Sequence, residues 1–308
     1  MTVKPKRLNE LDYLKCVFIV LMVIFHLAYF ADKHLWWKQL VYSFHMPAFL
    51  LISGFLANAG KTVGRFASYL KWLVIPYAVM ESGYVVMASL LPIREHIDNL
   101  TVWLFFEKLA VHPIGPYWFI HTLILLAAVH YIVFHRLKRR ADGIVLFALF
   151  CWLLSLPQVG LLSFANATYF IAGVAMRLSG KSFLDFFASK TPVAAVPLIL
   201  LCLNSANFDR ALPSGAAITW LVISLLLYVF NYVKVGQTVL YIGGHTFIIL
   251  LFSPIFTLLA KSFIPLFAFD DSAVTFMIFS VVFVLCGCFG LKKLLDITHL
   301  SRFLLGER

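Results

Sequence analysis

The chain has 308 residues, of which 62% are hydrophobic and only 13% charged, and its mean hydropathy is +0.93. Soluble domains carry about 25% charged residues, so a water-soluble core of this length is excluded and the chain reads as an all-α integral membrane protein. A formal net charge of +11 would suggest a nucleic-acid partner in a soluble protein, but the placement of that charge, taken up below, removes the need for one.

Apolar runs of about 17 to 25 residues are long enough to cross ~30 Å of hydrocarbon as helices. Ten such runs are expected, at approximately 11-31, 39-58, 68-91, 117-135, 143-157, 160-179, 191-204, 214-233, 237-260 and 272-291, the fifth and seventh being short. The first, LDYLKCVFIVLMVIFH, contains Lys15 and His26. Eleven helical steps of about 100° make three turns plus roughly 20°, so both side chains project from one face, about 16 Å apart along the axis. A charge in hydrocarbon costs at least ~2.5 kcal/mol, which makes both residues functional candidates. A structural alternative stays open: Lys15 can snorkel to the surface while His26 bonds a neighbouring helix. The run follows a basic stretch, but it is long and LAYFADK offers no small-x-small cleavage site, so it is expected to be a retained helix.

In the second run His45 precedes Pro47, and Ser53 and Gly54 are small enough for close helix packing. The third run holds Glu81, a carboxylate that should face the bundle. A long connection follows, amphipathic around Leu100 to Leu109 and broken by Pro113, Gly115 and Pro116. That pattern fits an outer interfacial segment at about 93-116 able to roof a cavity. Trp118 and His121 open the fourth run, where a Trp serves as an interface anchor or as a wall for a sugar ring. His130, His135 and His245 are read as structural, because no HExxH or similar spacing builds a metal site.

With the N-terminus inside, nineteen of the 25 basic residues fall on cytoplasmic segments. They are Lys4, Lys6, Arg7 and Lys15; Lys61, Arg65 and Lys71; Arg136, Lys138, Arg139 and Arg140; Arg177, Lys181 and Lys190; Lys234; and Lys292, Lys293, Arg302 and Arg308. The others, Lys33, Lys38, Arg94, Lys108, Arg210 and Lys261, fall on outer loops. This positive-inside asymmetry predicts an even number of spans with both termini cytoplasmic, and it accounts for the basicity without nucleic acid. Cys16, Cys151, Cys202, Cys286 and Cys288 all lie in predicted spans without CxxC spacing and read as buried reduced thiols. No internal repeat or appended soluble segment is visible, so residues 1-308 are expected to form a single membrane domain.

Several motifs resemble those of the acyltransferase family 3 membrane O-acyltransferases, and within them the fucose 4-O-acetylase-like subgroup. Asp12, Lys15 and His26 match an Asp-x-x-(Arg or Lys) element followed by His, with Lys where most of the wider family has Arg. YSFHMPAFLLISGFLA, from Tyr42 to Ala57, is similar to the family's second-helix element. RFASYLKWLVIPY, GPYWFIHTLIL, YFIAGVAMR and YIGGHTFIILLFSP follow in the family's order, the last carrying Ser253 where a His is usual.

The resemblance implies transfer of an acyl group, acetyl being the commonest, from acyl-CoA to a hydroxyl of a sugar or cell-surface glycan, possibly lipid-linked. It also implies a bacterial cytoplasmic membrane and no permanently bound cofactor or metal. Lys15, with Arg65, Lys71 or Arg7 as helpers, would hold the phosphate-rich CoA head. His26 would act as general base or acyl carrier, an imidazole having an ordinary pKa near ~6.5. His45, Glu81, Trp118 and His121 are candidates for acceptor binding, and Asp12 for orienting Lys15. The competing reading is a transporter or flippase using an intramembrane His/Glu relay. Against it stands the lack of a repeat or of paired Gly/Pro-broken helices.

Overall fold

The computed structural model describes residues 8-91, 95-137, 142-158 and 160-305. Lys4, Lys6, Arg7, Arg94, Lys138, Arg139, Arg140 and Arg308, which the charge argument used, lie outside the described residues. The described chain is helical, with no strand among those residues. In order come α1 (Asn9–His26), α2 (Ala28–Ala31), α3 (Leu35–Leu56), α4 (Val63–Leu90), α5 (Val102–Ala110), α6 (Trp118–Leu137) and α7 (Asp142–Gln158). They are followed by α8 (Phe164–Leu178), α9 (Ala195–Cys202), α10 (Pro213–Tyr232), α11 (Gln237–Gly244), α12 (Thr246–Ala260), α13 (Val274–Ile297) and α14 (Ser301–Leu304).

Among the described residues, six segments are long and apolar enough to cross a membrane: Leu35–Leu56, Val63–Leu90, Val102–Leu137, Pro213–Tyr232, Thr246–Phe267 and Val274–Ile297. The spans expected at 11-31, 160-179 and 191-204 fall short for identifiable reasons. α1 carries Glu10, Asp12 and Lys15 in its first turns and stops at His26. The continuous helix expected over 11-31 is therefore corrected: Leu27 leaves the helical region at φ −77°, ψ 91°, and the chain restarts as α2. The run expected at 237-260 is likewise interrupted, with His245 at φ −119°, ψ 25° between α11 and α12. α8 has 15 residues and α9 only 8, which at about 1.5 Å per residue reach ~22 and ~12 Å of the ~30 Å core.

The chain divides into two compact units, the first Met1–Ile52 with Gly180–Cys288 and the second Ser53–Ser179 with Phe289–Arg308. In the first, α1 packs on α10, α11 and α12, and its Leu11, Leu14, Phe18, Ile19, Met22 and Val23 are nearly fully buried. Phe18 sits edge-on to Phe44 and Phe49 of α3. The closest approach is at Gly243, where a Cβ would lie 1.7 Å from the carbonyl oxygen of Asp12; only glycine lets these two backbones meet. Before α13, Asp270 accepts hydrogen bonds from Ser272 and from both the amide and the hydroxyl of Thr275, at 2.8 to 2.9 Å for the amides. Those donors hold its carboxyl well below the usual carboxylate range.

In the second unit α4 packs against α5 and α6, and α7 and α8 complete the bundle on α6. Thr101 Oγ1 accepts from the Leu104 amide at 3.1 Å and starts α5. Leu104 and Phe105 pack on Val85, Ala88 and Ile97, while Val102, Trp103 and Phe106 stay exposed, as an amphipathic helix at an apolar boundary would have it. Gly54 lets the end of α3 meet α8, since a Cβ there would be 2.1 Å from the Phe170 carbonyl oxygen. The thiols are less uniform than expected. Cys16 and Cys288 are buried, but Cys151 and Cys286 are exposed on helix surfaces and Cys202 is half-buried, because positions rich in apolar neighbours need not face inward when the surroundings are themselves apolar.

Candidate active site

The first unit presents a polar line along α1. Asp12 is buried and its Oδ1 lies 2.8 Å from Lys15 Nζ, three residues on. The lysine side chain keeps about a fifth of its surface open, so its charge is oriented without being sealed off. α1 is unbroken from Asp12 to His26, and the one-face alignment and ~16 Å separation predicted from spacing therefore apply.

His26 is the last residue of α1 and is exposed. Its Nδ1 lies 2.7 Å from the Met22 carbonyl oxygen, one turn back. A carbonyl can only accept, so Nδ1 carries the proton and Nε2 presents a lone pair. The break at Leu27 matters here: ending the helix places the imidazole at its rim instead of against a following turn. It also leaves carbonyls of the last turn without intrahelical partners, and Tyr42 of α3 donates its hydroxyl to one of them, Phe25 O, at 3.1 Å.

His45 repeats the arrangement one turn along α3. Its Nδ1 donates to Val41 O at 2.7 Å, and its Nε2 is buried with no partner among the described residues. The Tyr42 ring stands between the two histidines, 6.2 Å from His26 and 5.3 Å from His45 between centroids. Pro47 has no N–H for the Ser43 carbonyl four residues earlier, and the Thr219 hydroxyl donates to that oxygen at 3.5 Å. Asp12, Lys15, His26 and His45 thus lie in one unit. Tyr42 was not singled out in the sequence; its place three residues before His45, on the same helical face, is the signal that could have found it.

The remaining candidates lie in the second unit. Glu81 is fully buried, its Oε1 accepts from the Ile114 amide at 2.7 Å, and Oε2 has no partner among the described residues. Glu95 accepts from the next amide, that of Gly115. Gly115 has φ +64° and its missing Cβ would lie 2.4 Å from the Tyr84 ring, so the turn requires glycine. Tyr77 donates to Leu109 O at 2.8 Å, and His121 Nε2 donates to Ala110 O at 3.0 Å. These carbonyls belong to the last turn of α5, where helices need external donors. Glu81 and His121 are thereby brought together on one segment, 109-115, as backbone clamps. Trp118 is half-buried with its ring edge-on to Phe119. Arg65 and Lys71 are exposed near the start of α4, the Lys71 ammonium lying 5.0 Å from the Trp72 ring.

A family model described as an acyltransferase domain, family 3, matches residues 8-293. No curated protein and no solved structure matches the chain.

Proposed function

This chain belongs to the acyltransferase domain family, acyltransferase family 3, and from that premise we propose that it moves a short acyl group, acetyl first among them, from acyl-CoA to a hydroxyl of a sugar or cell-surface glycan. The observation that carries the proposal is His26 at a helix end, its Nδ1 fixed by Met22 and its Nε2 presenting a lone pair, on the same helix as a cation held by Asp12.

Nε2 takes the proton of the acceptor hydroxyl as its oxygen attacks the thioester carbonyl, and the imidazolium returns that proton to the departing CoA thiolate. If His26 Nε2 instead attacks the thioester carbonyl, the C–S bond breaks and CoA leaves as the thiolate; the acyl group then passes from Nε2 to the acceptor oxygen, whose proton goes to that thiolate. Lys15 Nζ donates one hydrogen bond to Asp12 and has two left for a phosphate oxygen. An extended pantetheine arm is comparable with the ~16 Å from Lys15 to His26. The acceptor could be lipid-linked, the bilayer being its natural solvent.

The test is acyl transfer from labelled acyl-CoA by the purified protein, with glycans of cells carrying and lacking the gene compared by mass. Transfer lost in His26→Ala with folding intact supports the enzyme, and a gain of one acyl unit identifies donor and acceptor. A transporter or flippase is the second reading, favoured by the helix breaks at Leu27 and His245, since discontinuous helices line substrate paths in transporters. Substrate movement without acylation would support it.

A further inference from the structure

The second unit contains a cavity of about 290 Å³ lined by Ser53, Lys61, Phe66, Tyr69, Ala127 and His130 among others. This is close to the lower end of ordinary small-molecule sites, ~300 Å³. His130 retains only 5% of its surface, and neither its ring nitrogens nor the Ser53 hydroxyl make a hydrogen bond among the described residues. A buried imidazole without a partner is costly unless something in the cavity supplies one. The one cation on the wall, Lys61, is held by the fold: Tyr131 donates to its carbonyl at 3.1 Å, and its ammonium lies 3.8 Å from the Tyr69 ring centroid.

The walls also say what does not fit. The Phe66 ring is stacked on Tyr131 at 3.7 Å, and a face of Tyr69 is covered by Lys61, so neither ring is free on both faces to sandwich a purine. Apart from the Asn58 amide, the remaining lining, Leu56, Ala57, Leu123, Ala127 and Phe170, is aliphatic or edge-on aromatic, which suits a chain more than a flat ring.

We propose that this cavity is a binding site for a single-chain amphiphile with an anionic head, its carboxylate or phosphate meeting Lys61 and accepting from the His130 ring and the Ser53 hydroxyl, and its chain running along Leu56, Leu123 and Phe170. The shared chemistry could reach the cavity as a free alkyl anion or as a lysolipid. The site does not depend on acyl transfer.

The probe is radiolabelled dodecyl phosphate, titrated against the full chain in nanodiscs of phosphatidylcholine, with lysophosphatidate incorporated into the bilayer as the second arm. Saturable binding at one per chain is expected, with dodecanol at least tenfold weaker because it lacks the charge. Lys61→Gln should weaken binding about tenfold and Lys61→Arg restore it. Ala127→Trp, which fills the cavity, should abolish it, and His26→Ala should leave it unchanged. Saturation by dodecyl phosphate added to the water assigns a free anion; saturation by lysophosphatidate alone assigns the bilayer. Unaltered binding in both Lys61→Gln and Ala127→Trp overturns the proposal, as does displacement of the label by coenzyme A together with loss of binding in His26→Ala.

Discussion

The two units use the same kind of side chain in opposite ways. In the first, His26 and His45 each tie Nδ1 to a carbonyl of their own helix and leave Nε2 with its lone pair. In the second, His121 directs Nε2 to the Ala110 carbonyl, and Glu81 directs Oε1 to the Ile114 amide. A group with an open coordination position can exchange a proton with a substrate, whereas one already bonded to distant backbone holds chain segments in register. Burial alone does not separate these cases, for His45 and Glu81 are both buried. What the bonded atom holds separates them better: His45 bonds a carbonyl of its own helix and Glu81 an amide 33 residues away, while each keeps one buried atom with no partner among the described residues.

The contrast breaks most sharply at His26. His26→Ala should reduce acyl transfer by about 10²- to 10⁴-fold, the usual contribution of a general base, with melting temperature unchanged. An activity within threefold of the parent would remove it from the chemistry. Lys15→Ala should raise the apparent KM for acyl-CoA roughly tenfold with kcat nearly constant, as loss of uniform binding does, and Lys15→Arg should restore it. Unchanged KM in the alanine variant would refute the donor anchor.

Tyr42→Phe tests the helix end. It leaves the Phe25 carbonyl without its donor, a loss of about 0.5–1.5 kcal/mol, and kcat should fall several-fold while KM for the donor holds. In the second unit Glu81→Gln keeps an acceptor oxygen for Ile114, so activity and melting temperature should stay within about twofold and a few degrees. Glu81→Ala should cost about 1–3 kcal/mol of stability. Large loss of activity in the glutamine variant with stability intact would make Glu81 part of the chemistry and erase the contrast. The smallest effect is expected at Asp270. Its carboxyl is held low in the folded chain, so its contribution is present above the ordinary carboxylate range near ~4 and fades as pH falls below it. Asp270→Asn should flatten that acid limb of a melting-temperature profile.

Much of the first unit was legible because its signals are side chains at fixed spacing on one helix: Asp12, Lys15 and His26 need no tertiary information to be aligned. The break at Leu27 was not, since neither Pro nor Gly marks it. The clamp on segment 109-115 was hidden for another reason. Glu81 pairs with an amide 33 residues away, and backbone donors carry no sequence signature. For the same reason the bonds that Glu81 and His121 make to segment 109-115 carry no signal in the sequence beside their expected acceptor-binding role. His130 carries no sequence signal of its own, because metal-ligand spacing cannot reveal a cavity wall assembled from α3, α4, α6 and α8.

Gly243 has a mechanical consequence. With no side chain between α11 and the Asp12 carbonyl, there is no deformable layer to absorb relative sliding, and close-packed interiors pass such strain on. Any shift of α11, which ends beside His245, would therefore reach Asp12 undamped and, through a 2.8 Å ion pair, the ammonium of Lys15. The proposed hold of Lys15 on the donor and the seating of that helix would then be a single adjustable quantity.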